Sequence, residues 1–128
     1  MSKEQHVNWR SRPVATDLAA AARYLSLLNT PSQLKGLLSK LQRSKRTRHA
    51  AKDLLRASGL PLLARDESHV AADLKRVRKG KALSPVILIC GDFTAGIPLT
   101  IADGYHRICA VCYFNEDAQV SCRVVARR

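Results

Sequence analysis

The sequence predicts an α+β fold, helical through its first half and strand–strand–helix–strand in its second. Three observations carry this. Leucines and alanines recur at helical spacing as far as Ser58. The β-branched run Pro85-Val-Ile-Leu-Ile-Cys90 reads as a buried strand. Beyond it, two apolar stretches flank a helical segment that opens at Asp103-Gly104. The 128 residues suit a single domain, and 46% hydrophobic against 25% charged residues exclude disorder of the whole chain. No apolar run approaches the roughly 20 residues of a membrane span, so no membrane partner is expected. Met1–Gln5 carries no apolar stretch of the signal-peptide kind, and a soluble cytoplasmic protein is expected.

Each element has its own warrant. Thr16 and Asp17 offer a cap for a first helix, with Leu18, Ala21, Ala22, Leu25 and Leu28 on its apolar side. Asn29-Thr30-Pro31 breaks the pattern; Thr30 suits a cap and Pro31 the first turn of a second helix bearing Leu34, Leu37, Leu38 and Leu41. A third helix is predicted from near Thr47 to Ser58, burying Ala50, Ala51, Leu54 and Leu55 and stopped by Gly59. Leu60-Pro61-Leu62-Leu63 is an extended connector, because proline disfavours helix in the residue before it. A fourth helix starts between Asp66 and Ser68, with Val70, Leu74 and Val77 on one face. After the strand at Pro85–Cys90 come a turn over Gly91–Gly96, a strand at Pro98–Ile101, a helix over Tyr105–Phe114 and a strand over Gln119–Val125. His6 falls in a tail expected to be disordered, and Arg127 and Arg128 form a basic tail.

Charge narrows the partners. Lys plus Arg is 22 and Asp plus Glu is 10, a formal +12, and this surplus favours polyanions such as nucleotides, nucleic acid or an acidic protein. One basic cluster, Arg43, Lys45, Arg46 and Arg48, lies between two predicted helices, where a helix-turn-helix would set it against phosphates. A second, Lys75, Arg76, Arg78, Lys79 and Lys81 around Gly80, closes the fourth helix. The four cysteines, Cys90, Cys109, Cys112 and Cys122, are expected as reduced core residues. His49 and His69 have no metal-ligand spacing to another histidine, and no metal site is expected.

The candidate site is Asp103-Gly104-Tyr105-His106-Arg107. A strand running into Asp-Gly and at once into a helix leaves the first helical amides free, and with the helix dipole they favour an anion such as phosphate. Gly104 permits a sharp turn and a close ligand approach. Asp103 is placed to cap the helix. Arg107 offers a planar fork for phosphate and His106 a hydrogen bond or a proton.

These residues resemble the signature of the ParB/sulfiredoxin-like superfamily. The resemblance spans about residues 60–126, through His69–Lys79, Val86–Cys90 and Val120–Val125, while the helical first half resembles the start of small bacterial ParB-like proteins. It implies a small mixed sheet with helices, preceded by a helical extension over about 14–58. It also implies a nucleotide or phosphate site: ParB proteins bind and hydrolyse CTP and act on DNA, sulfiredoxins use ATP to repair a sulfinic acid, and a free-serine kinase is a relative. Gly104 and Arg107 match positions shared by these groups, and His106 matches the His-Arg pair of the sulfiredoxins and the kinase. ParB proteins carry two arginines there, and sulfiredoxins carry their catalytic cysteine where Tyr105 stands, so neither CTP-clamp nor sulfinic-reductase chemistry is implied. The kinase uses an acidic residue earlier in its chain; Asp66 and Glu67 fall in that region without matching it. In this family the stretch bearing Lys79 and Lys81 lies beside the nucleotide. The expected function is therefore nucleotide binding (ATP or CTP), with any NTPase or phosphoryl transfer requiring Mg²⁺. A non-catalytic DNA-binding or partner-binding module is the alternative.

Overall fold

The computed structural model describes residues 6–127, so Met1–Gln5 and Arg128 lie outside it. The fold is α+β. The first helix, α1 (Ala15–Ser26), starts one residue before Thr16, so neither Thr16 nor Asp17 caps it. The second, α2 (Pro31–Arg43), carries the expected cap in full: Thr30 Oγ1 accepts from the Gln33 amide at 3.2 Å, and the Gln33 side chain accepts from the Thr30 amide at 2.9 Å.

The third helix is shorter than predicted. Residues Arg46–Ala50 form a strand, β1, and α3 is confined to Ala51–Ser58, closed by Gly59 at φ 71°. Strand β1 is exposed along nearly its whole length and pairs antiparallel with the last strand. It lacks an apolar alternation because neither of its faces joins the core. The remaining elements are α4 (Ser68–Arg78), β2 (Val86–Ile89), β3 (Thr100–Asp103), α5 (Tyr105–Phe114) and β4 (Gln119–Val125). Strand β3 lies two residues later than Pro98–Ile101, consistent with proline's inability to donate to a ladder.

The sheet order is β1-β4-β2-β3, with β2 and β4 parallel and both outer pairs antiparallel. Val86 and Leu88 point into a core with residues of α3, α4 and α5. Ile87 and Ile89 point the other way, against Ala21 and Leu25 of α1 and Leu37 and Leu41 of α2. Both faces of β2 are thus covered, which is why it reads as an unbroken apolar run. Fully burying each such side chain contributes about 2 kcal/mol. The first half supplies an edge strand and the cover of one sheet face.

The segment after His6 is docked as well, although His6 itself is exposed. Val7 is buried, Trp9 bridges Leu83, and the Arg10 amide donates to the Leu83 carbonyl at 2.8 Å. The connector Leu60–Leu63 has no regular secondary structure, and two tyrosines of α5 hold it: Tyr105 Oη donates to the Pro61 carbonyl at 2.5 Å and Tyr113 Oη to the Leu63 carbonyl at 2.7 Å. Among the described residues, no helix is long and apolar enough to cross a membrane.

Candidate functional site

The Asp103–Arg107 segment sits where β3 passes into α5. Gly104 occupies the helix N-cap at φ 111°, a conformation costly for other residues. A Cβ there would lie 2.4 Å from Val86 Cγ1. The close approach served by this glycine is to Val86 of strand β2. Asp103 does not cap α5, and no other side chain does.

Instead Asp103 pairs with Arg107. Arg107 Nη2 lies 2.7 Å from Asp103 Oδ2, and Nη1 lies 3.2 Å from Asp17 Oδ2 of α1. The three side chains are only 14–17% exposed. Ser84 Oγ also donates to Asp17 Oδ2. Burial pushes the Asp103 carboxyl above its ordinary range, against the opposing pull of Arg107. The guanidinium expected to grip phosphate thus ties α1 to the β3–α5 junction.

The N-terminal ends of α4 and α5 lie side by side and open onto a cleft of about 470 Å³. Ser68, His69, Asp73 and Arg76 line it from α4, and His106 and Arg107 from α5. Asp103 and Gly104 complete the floor. At α4, Glu67 Oε1 caps the helix, accepting from the His69 and Val70 amides, each at 2.9 Å. Those bonds, the Val70 amide foremost, together with the His69 ring hold the Glu67 carboxyl below its ordinary range. Asp73 is paired with Arg76 at 2.6 Å. Each cleft-lining carboxylate already has a guanidinium partner.

His69 and His106, which have no ligand spacing in the sequence, meet in space. The His69 and His106 rings stand 4.7 Å apart, and Glu67 contacts both: Oε2 is 3.1 Å from His69 Nδ1 and Oε1 is 3.9 Å from His106 Nε2. Sequence reasoning missed Glu67 and His69 as site residues. Their one signal was a carboxylate at the N-cap and a histidine in the first turn of a helix that precedes the Asp-Gly turn.

Other predicted residues fall elsewhere. Tyr105 points its hydroxyl at Pro61 and does not line the cleft. Lys79 flanks a separate groove with Arg65, Lys75 and Arg78, and Lys81 also lies off the cleft. Arg43 ends α2, while Lys45, Arg46 and Arg48 lie before and along β1, so no helix-turn-helix forms there. Strand β1 is three strand spacings from β3, roughly 14 Å. Of the cysteines, Cys109 and Cys122 are buried and Cys112 is half-buried, but Cys90 is exposed, outside the core expected for it. No protein-family model, curated protein or solved structure matches the chain.

Proposed function

We propose that the cleft between α4 and α5 binds a phosphate-bearing ligand, a nucleotide such as ATP or CTP with Mg²⁺, in a domain of ParB/sulfiredoxin-like type. One observation carries the reading: the uncapped N-terminus of α5 opens onto a cleft that also presents His69, His106 and the half-exposed Arg76. Free helical amides and the helix dipole attract an anion, and Arg76 retains donors not used by Asp73. The likeness of Asp103–Arg107 to the family's phosphate-binding signature supports the same reading. Mg²⁺ would offset the charge on neighbouring phosphate oxygens. Binding is favoured over phosphoryl transfer because the cleft's carboxylates are engaged with arginines.

The test is calorimetric titration of ATP, CTP and inorganic triphosphate with Mg²⁺, at low and high salt. Arg76→Ala removes a charge-assisted contact worth about 1.5–3 kcal/mol, so affinity should fall at least about tenfold. Arg107→Lys is the second variant, since it keeps a cation between Asp17 and Asp103. Equal affinity of the wild type and both variants would sink the proposal, as would weak binding of every anion abolished by salt.

A second reading is favoured by the β1 edge. Lys45, Arg46 and Arg48 are exposed and make no ion pair among the described residues, and the register sets Arg46 opposite Arg123. Such a surface suits a nucleic-acid backbone. Arg46→Glu with Arg48→Glu should abolish duplex DNA binding and leave nucleotide affinity unchanged; unchanged DNA affinity would reject this reading.

A further inference from the structure

We propose that Glu67, His69 and His106 bind one divalent transition-metal ion, Zn²⁺ by their donor chemistry, with one coordination position open toward the cleft. Two imidazoles and a carboxylate suit a borderline-soft ion, and three protein ligands with a fourth position free is the arrangement of exchangeable and catalytic zinc sites. One donor atom from each residue can be chosen so that all three lie within 4.8 Å of one another. Around a tetrahedral ion with bonds of about 2.0–2.1 Å, neighbouring donors stand about 3.3 Å apart. The observed 3.1 Å from His69 Nδ1 to Glu67 Oε2 is close to that spacing, and His106 Nε2 stands 3.9 Å from the same carboxylate's other oxygen, Oε1.

The remaining adjustment falls on the two imidazoles, whose side chains are 71% and 43% exposed and have room to turn. Glu67 is already oriented. Its Oε1 is held by the His69 and Val70 amides, which leaves Oε2 for the ion and provides the outer-shell support that metal ligands need. Gly104 and the α4–α5 packing bring His106 to a histidine far from it in sequence. Because His69 and His106 line the cleft and Glu67 does not, the open position faces the cleft. That a phosphate oxygen takes this position rests on the function proposed above; the metal site itself does not.

The experiment uses tag-free full-length protein, stripped by a chelator and kept free of phosphate and nucleotide. Zn²⁺ is titrated by calorimetry, and Co²⁺ binding is followed by visible absorption, whose intensity separates four- from six-coordination. One ion per chain and a four-coordinate cobalt spectrum are expected. Loss of outer-shell partners alone weakens metal sites about 10–100-fold, so His69→Ala and His106→Ala should each weaken binding at least about tenfold. His49→Ala, on β1, should leave affinity unchanged. His69→Ala at its exposed position keeps the fold, which far-UV circular dichroism checks. No Zn²⁺ binding, or wild-type affinity in His69→Ala, overturns the site. ATP binding without Zn²⁺ binding removes the metal site alone, and Zn²⁺ binding without any anion binding removes the nucleotide reading alone.

Discussion

Arg107 is held where two carboxylates meet, and this decides what its removal does. Truncation leaves Asp17 and Asp103 facing each other at 17% exposure with no cation between them. Breaking a pair this buried costs about 3 kcal/mol, so Arg107→Ala should lower the denaturant midpoint strongly whatever the cleft binds. In Arg107→Met with Asp17→Asn the loss should shrink, and an undiminished loss would refute the pairing as its cause. Cys122 offers a second test at this scale. Burial pushes its thiol up to about 12. The unfolded thiol ionises near its ordinary value while the folded one stays protonated, so this contribution to stability is complete below that value and drains away as pH rises toward 12. At about pH 10 the loss should approach 1–2 kcal/mol relative to neutral pH, and Cys122→Ala should abolish that part of the decline. Identical pH dependence in the two proteins would contradict the buried thiol.

Helix α5 depends on its first turn. Gly104→Ala forces a Cβ to within 2.4 Å of Val86 and strains a positive φ, and should cost about 3 kcal/mol by chemical denaturation. A neutral outcome would mean that the strand–helix junction relaxes freely. This junction was legible in the sequence, as were the Thr30 cap and the bounds of α5 and β4, because glycine, proline and side-chain caps act within a few residues. Strand β1 was not. Arg46-Thr-Arg-His-Ala50 has no apolar alternation, and its strand state comes from backbone pairing to β4, a partner near the opposite end of the chain. The Glu67–His69–His106 cluster was hidden for a related reason. No local pattern states that the first turns of α4 and α5 lie together, and only tertiary packing brings the rings to 4.7 Å. Likewise the motif residues were legible, but the partners that claim Arg107 and Tyr105 were not.

At the scale of the molecule, the two halves of the chain share one sheet. The apolar run at Val86–Ile89 announced a buried strand, but composition could not say that α1 and α2 cover one of its faces. A fragment over residues 60–128 keeps the Asp103–Arg107 motif. It would nevertheless expose Ile87, Ile89, Ala102 and Val125 and lose β1. It should show no cooperative unfolding transition by circular dichroism, whereas the full chain should unfold in one step. A cooperatively folded fragment would restore the reading of residues 14–58 as an extension. The +12 charge fits this architecture, since basic residues crowd the β1 edge and the end of α4 while the site's carboxylates are paired.

Trp9 is the chain's one tryptophan, bridged to Leu83 and packed against the three-helix core. The molecule therefore carries its own optical reporter, placed where the incoming segment meets the stretch after α4. Emission from Trp9 registers whether that segment is seated, while far-UV ellipticity registers the helices. Followed together through a denaturation, the two signals show whether the seam at Leu83 opens with the body of the protein or before it.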